Sequence, residues 1–316
     1  MKKVSIVLCT YNGELYLREQ LDSLVSQSYP VYELIIQDDC STDNTLNIVK
    51  EYIRSYPDVN IKVYSNTETL GYNRNFMSAC QKTQGDFILP CDQDDIWKPH
   101  KVERLIAEMG DDCSLIFHNS LLFSGDKNMG KLHTKALPEY SPPIKALLMP
   151  QSYGHQMMFG KEVLPFLKKF QGLNLSYDYF IYTLCVSLGK IKYLDEALVC
   201  WRRHTTAATF SGRNISDNKI YGYIRAIRSL FIRSNRQTTE KYFKLCTEID
   251  FKDKDLNRIT RYMSRGTLWQ VIRVSIICLR YRHSLAPETK GILQYVRSLF
   301  VPLFFIRDHG RYILKN

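Results

Sequence analysis

Residues 213–316 contain no apolar stretch long enough to cross a membrane. Their longest uncharged run is "SLFVPLFFI", nine residues from Ser298. As helix it would reach roughly 13 Å against a hydrocarbon core of about 30 Å, and Pro302 interrupts it. Disulfide and zinc frameworks are also missing. The nine cysteines are odd in number and scattered, with no Cys-x-x-Cys pair, and several lie inside apolar runs such as "VSIVLC" and "EALVCW". They read as reduced thiols packed as small hydrophobes in the cytosol. Neither G-x-G-x-x-G nor G-x-x-x-x-G-K-[ST] occurs, so a dinucleotide fold and a P-loop are not indicated. There is no internal repeat. The start "MKKVSIVLC" carries an apolar run of six, short of the roughly 7–15 residues of a signal-peptide core, and is expected to be a first β-strand.

What is present divides by charge. The chain has 316 residues, 45% of them apolar, and a net charge of +11. Residues 1–212 hold 22 Lys and Arg against 24 Asp and Glu, a balance of −2. Residues 213–316 hold 21 against 8, a balance of +13, and turn helical, basic and aromatic. Two regions with different surroundings are expected, 1–212 and 213–316.

Four strand-like runs recur in the first region: "VSIVLC", "YELIIQ", "NIKVYS" and "DFILPC". A helix-like stretch follows each. Leu17, Leu21, Leu24 and Val25 form one apolar stripe, and Leu46, Val49 and Ile53 are expected to form another. Strands spaced by helices imply βαβ units, hence an α/β fold with a mostly parallel sheet. Such sheets bind ligands beyond the carboxyl ends of their strands, where "CTYNGE", "QDDCSTDNT" and "CDQDD" should converge. Later, "SLIFHNSLLF" reads as a strand, 124–150 as loop, 176–189 as a helix, and "KIKYLDEALVCWRRH" as a strand or hairpin.

Three aspartates within four positions repel one another unless something cationic lies between them. In an extended segment Asp92 and Asp94 face one way and Asp95 the other. The pair is a partial shell for Mg²⁺ or Mn²⁺, hard cations held by carboxylates plus substrate phosphates. The plainer alternative is an Asp-rich turn with Asp95 capping the helix near Pro99. In "QDDCSTDNT", capping accounts for Asp43 but not for Asp38 and Asp39.

Together "SIVLCTYNGELYLREQLDSLVSQSY", "QDDCSTDNT", "LGYNRNFMSA" and "LPCDQDDIWKPHKVERL" resemble the donor half of a family 2 glycosyltransferase of GT-A fold. The likeness is strong over residues 1–110 and weaker to about 205. "DQDDIW" is similar to the form in bacterial rhamnosyltransferases of cell-surface polysaccharide synthesis. The resemblance implies that Thr10, Tyr11, Asn12 and Glu14 hold base and ribose, and that Asp39 accepts the pyrimidine imide N–H. It implies a D-x-D pair in Asp92 and Asp94, with Asp94 the stronger metal ligand and Gln93 beside the donor. Arg74 would lie near the diphosphate or be a solvated helix charge.

The family places its base where "LSYDYFIY" carries Asp178, which as a bare sequence feature also suits a helix N-cap. Relatives often have Glu-Asp or His-Asp there; this chain has Tyr-Asp. His204 matches a histidine that some relatives bring to the metal, and a packed or surface residue is its plainer alternative. His155 or Gln156 in "YGHQMMFG" could touch sugar hydroxyls, while the Met-Met-Phe portion reads as core.

The resemblance therefore implies an inverting transferase, dependent on Mn²⁺ or Mg²⁺, at the cytoplasmic face of the membrane. Its donor would be dTDP-rhamnose, or a UDP-sugar of galactose, glucose or N-acetylglucosamine, and its acceptor a lipid-linked saccharide. A non-catalytic nucleotide-sugar-binding subunit is the alternative. The basic helices suit interfacial attachment to anionic lipid, or packing as a helical subdomain. Nucleic acid is not expected as a partner, because the basic residues alternate with aliphatic runs and no nucleic-acid module appears.

Overall fold

In the computed structural model, residues 1–135, 137–170, 172–204, 219–310 and 313–315 are described. The chain divides into two compact units, each built from three segments. The first holds Met1–Tyr140, Ser152–Gly172 and Gly189–Gly212; the second holds Ser141–Gln151, Leu173–Leu188 and Arg213–Asn316. The division expected at 212/213 falls within 205–218, outside the described residues.

The strands are β1 Val4–Thr10, β2 Glu33–Asp38, β3 Ile61–Ser65, β4 Phe87–Cys91, β5 Ile96–Trp97, β6 Cys113–Ser124, β7 Lys127–Lys131, β8 Met157–Gly160, β9 Asn174–Leu175, β10 Lys190–Arg202 and β11 Leu314–Lys315. In the first unit they form a sheet of order β3-β2-β1-β4-β8-β6-β10-β5, with β7 paired to β6. β1, β2, β3 and β4 pair in parallel, β8 runs antiparallel between β4 and β6, and β10 is parallel to β6. The result is an α/β fold around a mixed, mostly parallel sheet. Every residue of β1 and β2 is buried, as expected where helices cover both faces of parallel strands.

Each of the four expected strands forms, and a helix follows each. The helix Leu17–Val25 buries Leu17, Leu21 and Leu24 as the apolar spacing predicts. The next helix, Thr45–Ser55, is rotated from the expected stripe: it buries Thr45, Ile48, Val49 and Tyr52, and Ile53 is exposed. The Tyr52 hydroxyl explains the choice, because it donates to Asp22 Oδ1 at 2.6 Å and draws its ring inward. The segment expected as loop after Ser124 contains β7 and the helix Pro143–Leu148. "KIKYLDEALVCWRRH" supplies one long strand, β10, whose register against β6 slips three times.

The second unit is helical, with β9 and β11 pairing antiparallel. Its helices include Tyr177–Leu188, Lys219–Ser229, Arg233–Cys246, Lys254–Met263, Leu268–Arg280, Ile292–Leu299 and Val301–His309. Phe180, Tyr242, Phe243 and Phe305 are fully buried in it, with the Phe243 and Phe305 ring centroids 4.9 Å apart. Among the described residues no helix is long and apolar enough to cross a membrane.

The rotated stripe sets up a direct comparison. Tyr52→Ala is expected to lose about 3–5 kcal/mol in urea unfolding, and Ile53→Ser to stay within about 0.5 kcal/mol of the parent. The reverse ranking would restore the stripe read from the sequence.

Candidate active site

The parallel register decides which residues meet. Thr10 is level with Asp38 across β1 and β2, and Leu8 is level with Cys91 across β1 and β4. The segments after Thr10, Asp38 and Cys91 therefore leave the sheet at one edge. Thr10 Oγ1 donates to Asp38 Oδ1 at 2.8 Å, and the same carboxylate accepts from Ser41 N and Oγ. The residues that turn the chain there, Asn12 (φ 46°) and Cys40 (φ 65°), adopt the left-handed conformation. Asn tolerates it and Cys does not, so the packing around Cys40 must hold it.

Side-chain amides and hydroxyls then stitch the three segments together. Gln93 pairs reciprocally with Tyr11, accepting from its N–H at 2.8 Å and donating to its carbonyl at 3.0 Å. Gly13 makes room for this, since a Cβ there would overlap the Gln93 amide. Asn12 N donates to Ser41 Oγ, and Asn12 Oδ1 accepts from Thr42 N. Glu14 N donates to Asp43 Oδ2, and Glu14 Oε2 accepts from Asn44 N. Asp43 also accepts from Thr45 N at 3.0 Å, but it stands one residue before the N-cap, which is Asn44 and not Asp43 as the sequence reading had it.

Asp39 is buried at the mouth of the edge. Its Oδ1 accepts from Asn66 Nδ2 and Leu70 N, both at 2.7 Å, and its Oδ2 accepts from Gly71 N at 2.8 Å. A carboxylate offers about four lone-pair positions, so these three donors leave about one. Arg74 lies in the helix Tyr72–Cys80, its Nε donating to Leu70 O at 2.9 Å.

The aspartates after β4 do not alternate as an extended segment would, because Gln93 and Asp94 lie in a turn. Asp94 Oδ2 sits 2.8 Å from His204 Nε2. Asp92 Oδ2 and Asp95 Oδ2 lie 3.5 and 4.0 Å from His155 Nδ1. Asp95 does not cap the helix Lys101–Glu108, where no side chain caps the N-terminus. It is fully buried instead, with Oδ1 accepting from Arg202 N and Oδ2 without a hydrogen-bond partner.

Burial, with the charges of Asp92 and Asp94, pushes the Asp95 carboxyl well above the usual range. Burial and then Asp92 raise Asp94, opposed by its bond to His204. Arg202 binds the turn further, Nε donating to Asp94 O at 2.9 Å and Nη2 to Glu19 Oε2 at 2.8 Å. Buried Lys101 donates to His155 O at 2.8 Å, its Nζ lies 3.3 Å from the Trp97 ring centroid, and burial lowers its pKa to about 7.

This cluster fits a divalent ion. Ligand atoms of Asp92, Asp95 and His155 lie within 4.8 Å of one another, and one buried carboxylate oxygen points there unpartnered. The Asp94–His204 separation of 2.8 Å is also close to the roughly 3 Å between adjacent ligands of an octahedral ion with 2.1 Å bonds.

The sequence reading missed the parts played by Asp95, Lys101, Arg202 and Asn66. Only the "DD" doublet and the "RRH" run hinted at two of them. Gln156 is consumed internally, donating to His118 O and accepting from Tyr153 N. Asp178 belongs to the second unit, in the first turn of the helix Tyr177–Leu188. Its Oδ1 accepts from Ser176 Oγ at 2.8 Å and Tyr179 N at 2.7 Å.

The family model "Glycosyl transferase family 2" matches residues 5–174. An uncharacterized glycosyltransferase of Nostoc is 26% identical over 216 residues, 64% of this chain and 65% of that protein. A dTDP-rhamnosyl transferase, RfbG of Shigella flexneri, is 29% identical over 247 residues, 72% of this chain and 81% of that one. The chain thus spans just under two thirds of the first relative and most of the second. Among solved structures, residues 1–349 of TarS from S. aureus in complex with UDP superpose with a TM-score of 0.55 at 17% identity. That match covers 98% of this chain and 91% of the other. At that identity it speaks for the fold alone.

Two outcomes test the site. Gly13→Ala should displace Gln93 from Tyr11, so that nucleotide binding by calorimetry falls while circular dichroism stays unchanged. Lys101 gives a pH signature. Unfolded, a lysine keeps its proton to about pH 10.4, whereas here it loses it near 7. Between those values the unfolded chain binds more protons, so stability rises with pH. Below about 7 both states are protonated and the burial penalty is present in full. Lys101→Met should remove that rise from urea midpoints taken between about pH 7 and 10; a parallel pH dependence in both proteins would mean Lys101 titrates normally.

Proposed function

The chain belongs to glycosyl transferase family 2, and we propose that it moves a sugar from a nucleotide-sugar donor to a lipid-linked glycan in surface-polysaccharide synthesis. The observation that carries the donor reading is the edge where β1, β2 and β4 end, cross-braced by the Gln93–Tyr11 pair. Thr10, Tyr11, Asn12 and Glu14 cradle base and ribose, and Asp39 offers its one remaining acceptor position to the base. Uracil and thymine present one imide N–H there, whereas guanine presents two neighbouring donor groups. dTDP-rhamnose is the first choice of donor, supported by the likeness to the Shigella rhamnosyl transferase. UDP-galactose, UDP-glucose or UDP-N-acetylglucosamine is the alternative.

The chemistry is an in-line displacement with inversion. Residues 1–212 carry the donor half of it. Asp94 and Asp92, with His204 as the family resemblance has it or with Asp95 and His155 as the geometry groups them, would hold Mn²⁺ or Mg²⁺, which when bound supplies positive charge to the departing diphosphate. Gln93 lies beside the donor, and the remaining N–H groups of Arg74 face the diphosphate. Asp178 takes the proton of the acceptor hydroxyl as that oxygen attacks.

Thermal stability with UDP, dTDP or GDP, with and without Mn²⁺, tests the donor site. UDP and dTDP should stabilise the protein by roughly 2.7 kcal/mol at 100 times their dissociation constant; GDP should not, and Asp94→Asn should lose the Mn²⁺-dependent part. Asp178→Asn should keep donor binding and lose transfer by about 10²–10⁴-fold. Near-normal turnover in that variant would move the base elsewhere. Donor binding by a parent that transfers to no lipid-linked acceptor would favour a nucleotide-sugar-binding subunit.

A further inference from the structure

In the second unit the exposed large hydrophobic side chains are segregated. Among the described residues from 219 onward they all belong to the helices Lys219–Ser229, Leu268–Arg280 and Ile292–Leu299, or to the turn after the first of these. Ile220, Ile224 and Ile227 share one face of the first helix; Trp269, Ile272 and Ile276 share one face of the second. Ile292, Leu293 and Val296 are exposed on the third. The helices Arg233–Cys246 and Lys254–Met263 expose none. Isolated exposed hydrophobics are ordinary, but confinement to three helices is not.

These helices are also linked side by side. Leu268–Arg280 packs on Ile292–Leu299 and on Val301–His309, which in turn packs on Lys219–Ser229. Ser275 Oγ donates to Leu299 O at 2.7 Å, and Arg307 Nη1 donates to Gly222 O at 3.0 Å.

Charge chooses the occupant. The three helices carry Lys219, Arg225, Arg228, Arg273, Arg280 and Arg297 and no acidic residue. The acids of this region lie on the other helices and connections, and Asp255 already pairs with Arg258 and Arg280. A second copy of the chain joined about a two-fold axis would set this surface against itself, bringing together helices that carry arginines and no carboxylate of their own. We propose that this surface docks on an anionic lipid bilayer. Trp269 and the isoleucines enter the headgroup boundary, and Arg228 and the neighbouring Arg233 reach lipid phosphates. Rings near cations fit that depth, as where Arg282 lies over Tyr295 with 4.9 Å to the centroid. The surface rests on the proposed function only for its biological purpose.

The chain carries its own reporter. Of its three tryptophans, Trp97 and Trp201 are 2% and 9% exposed and Trp269 is 74% exposed. Full-length protein is mixed with phosphatidylcholine vesicles, with or without about 30 mol% phosphatidylglycerol, and followed by flotation and tryptophan emission. Binding with a blue shift is expected only with the anionic lipid, weakening with salt. Arg228→Glu should weaken partitioning by about thirtyfold, one attraction lost and one repulsion gained. Ile272→Asp should abolish the shift while circular dichroism is retained. Absence of binding by the folded parent overturns the proposal, and so does a dimer in sedimentation that Ile272→Asp dissolves. UDP stabilisation measured on the same variants separates a failed docking surface from a failed donor site.

Discussion

Burying negative charge at the end of a central strand is the constraint around which the first unit is arranged. Asp92, Asp94 and Asp95 follow β4 directly, and Asp95 has no access to solvent. Mutual repulsion and lost hydration would drive such a cluster apart unless positive or donor groups closed around it. His204 meets Asp94, His155 faces Asp92 and Asp95, and the Arg202 backbone N–H meets Asp95. Lys101 fills the space behind, its nitrogen tied to the backbone of the residue whose ring faces the acids. Residues far apart in the chain are thus held in place by one electrostatic need, and the unpartnered oxygen of Asp95 marks what a bound cation would complete.

The rest of the edge is rigid for a different reason. Its loops are fixed by hydrogen bonds between side chains and backbone, from the amides and hydroxyl of Gln93, Asn12 and Ser41 and from the carboxylates of Asp38, Asp39, Asp43 and Glu14. Gln93 acts almost as an extra strand pair for Tyr11, and Asp39 gathers the 66–71 loop through three donors. Left-handed backbone at Asn12 and Cys40 sends both chain segments across the ends of the strands. A preorganised mouth of this kind lowers the ordering cost of holding a ligand.

The two units also solve the problem of surface in different ways. The first balances acids and bases, some gathered at the site and others in ion pairs away from it, such as Lys62–Glu33 and Arg104–Glu196. The second gathers apolar and basic residues on helices that lack acids, a distribution unsuited to water alone. Neither property is visible in the net charge of +11, which is only their sum.

Periodicity was enough to read β1 to β4, their helices and the edge where three polar clusters meet, because parallel βαβ units send successive strands in the same direction. It failed at Thr45–Ser55, where a tyrosine hydroxyl that could reach Asp22 outweighed the aliphatic pattern. It also failed after Cys91, where a turn replaced the alternation assumed for Asp92, Asp94 and Asp95. The sequence by itself determined which segments are strands, which strand ends carry acid, and how charge is split between the two ends of the chain. Those depend on residues close together in the chain. That Asp94 and His204 share a site was implied by the family resemblance, while only the tertiary structure decided that His155 turns towards Asp92 and that Lys101 is buried beneath them. Contacts spanning 54 to 110 positions leave no local pattern; they follow from strand order and from the need to neutralise charge that water no longer reaches.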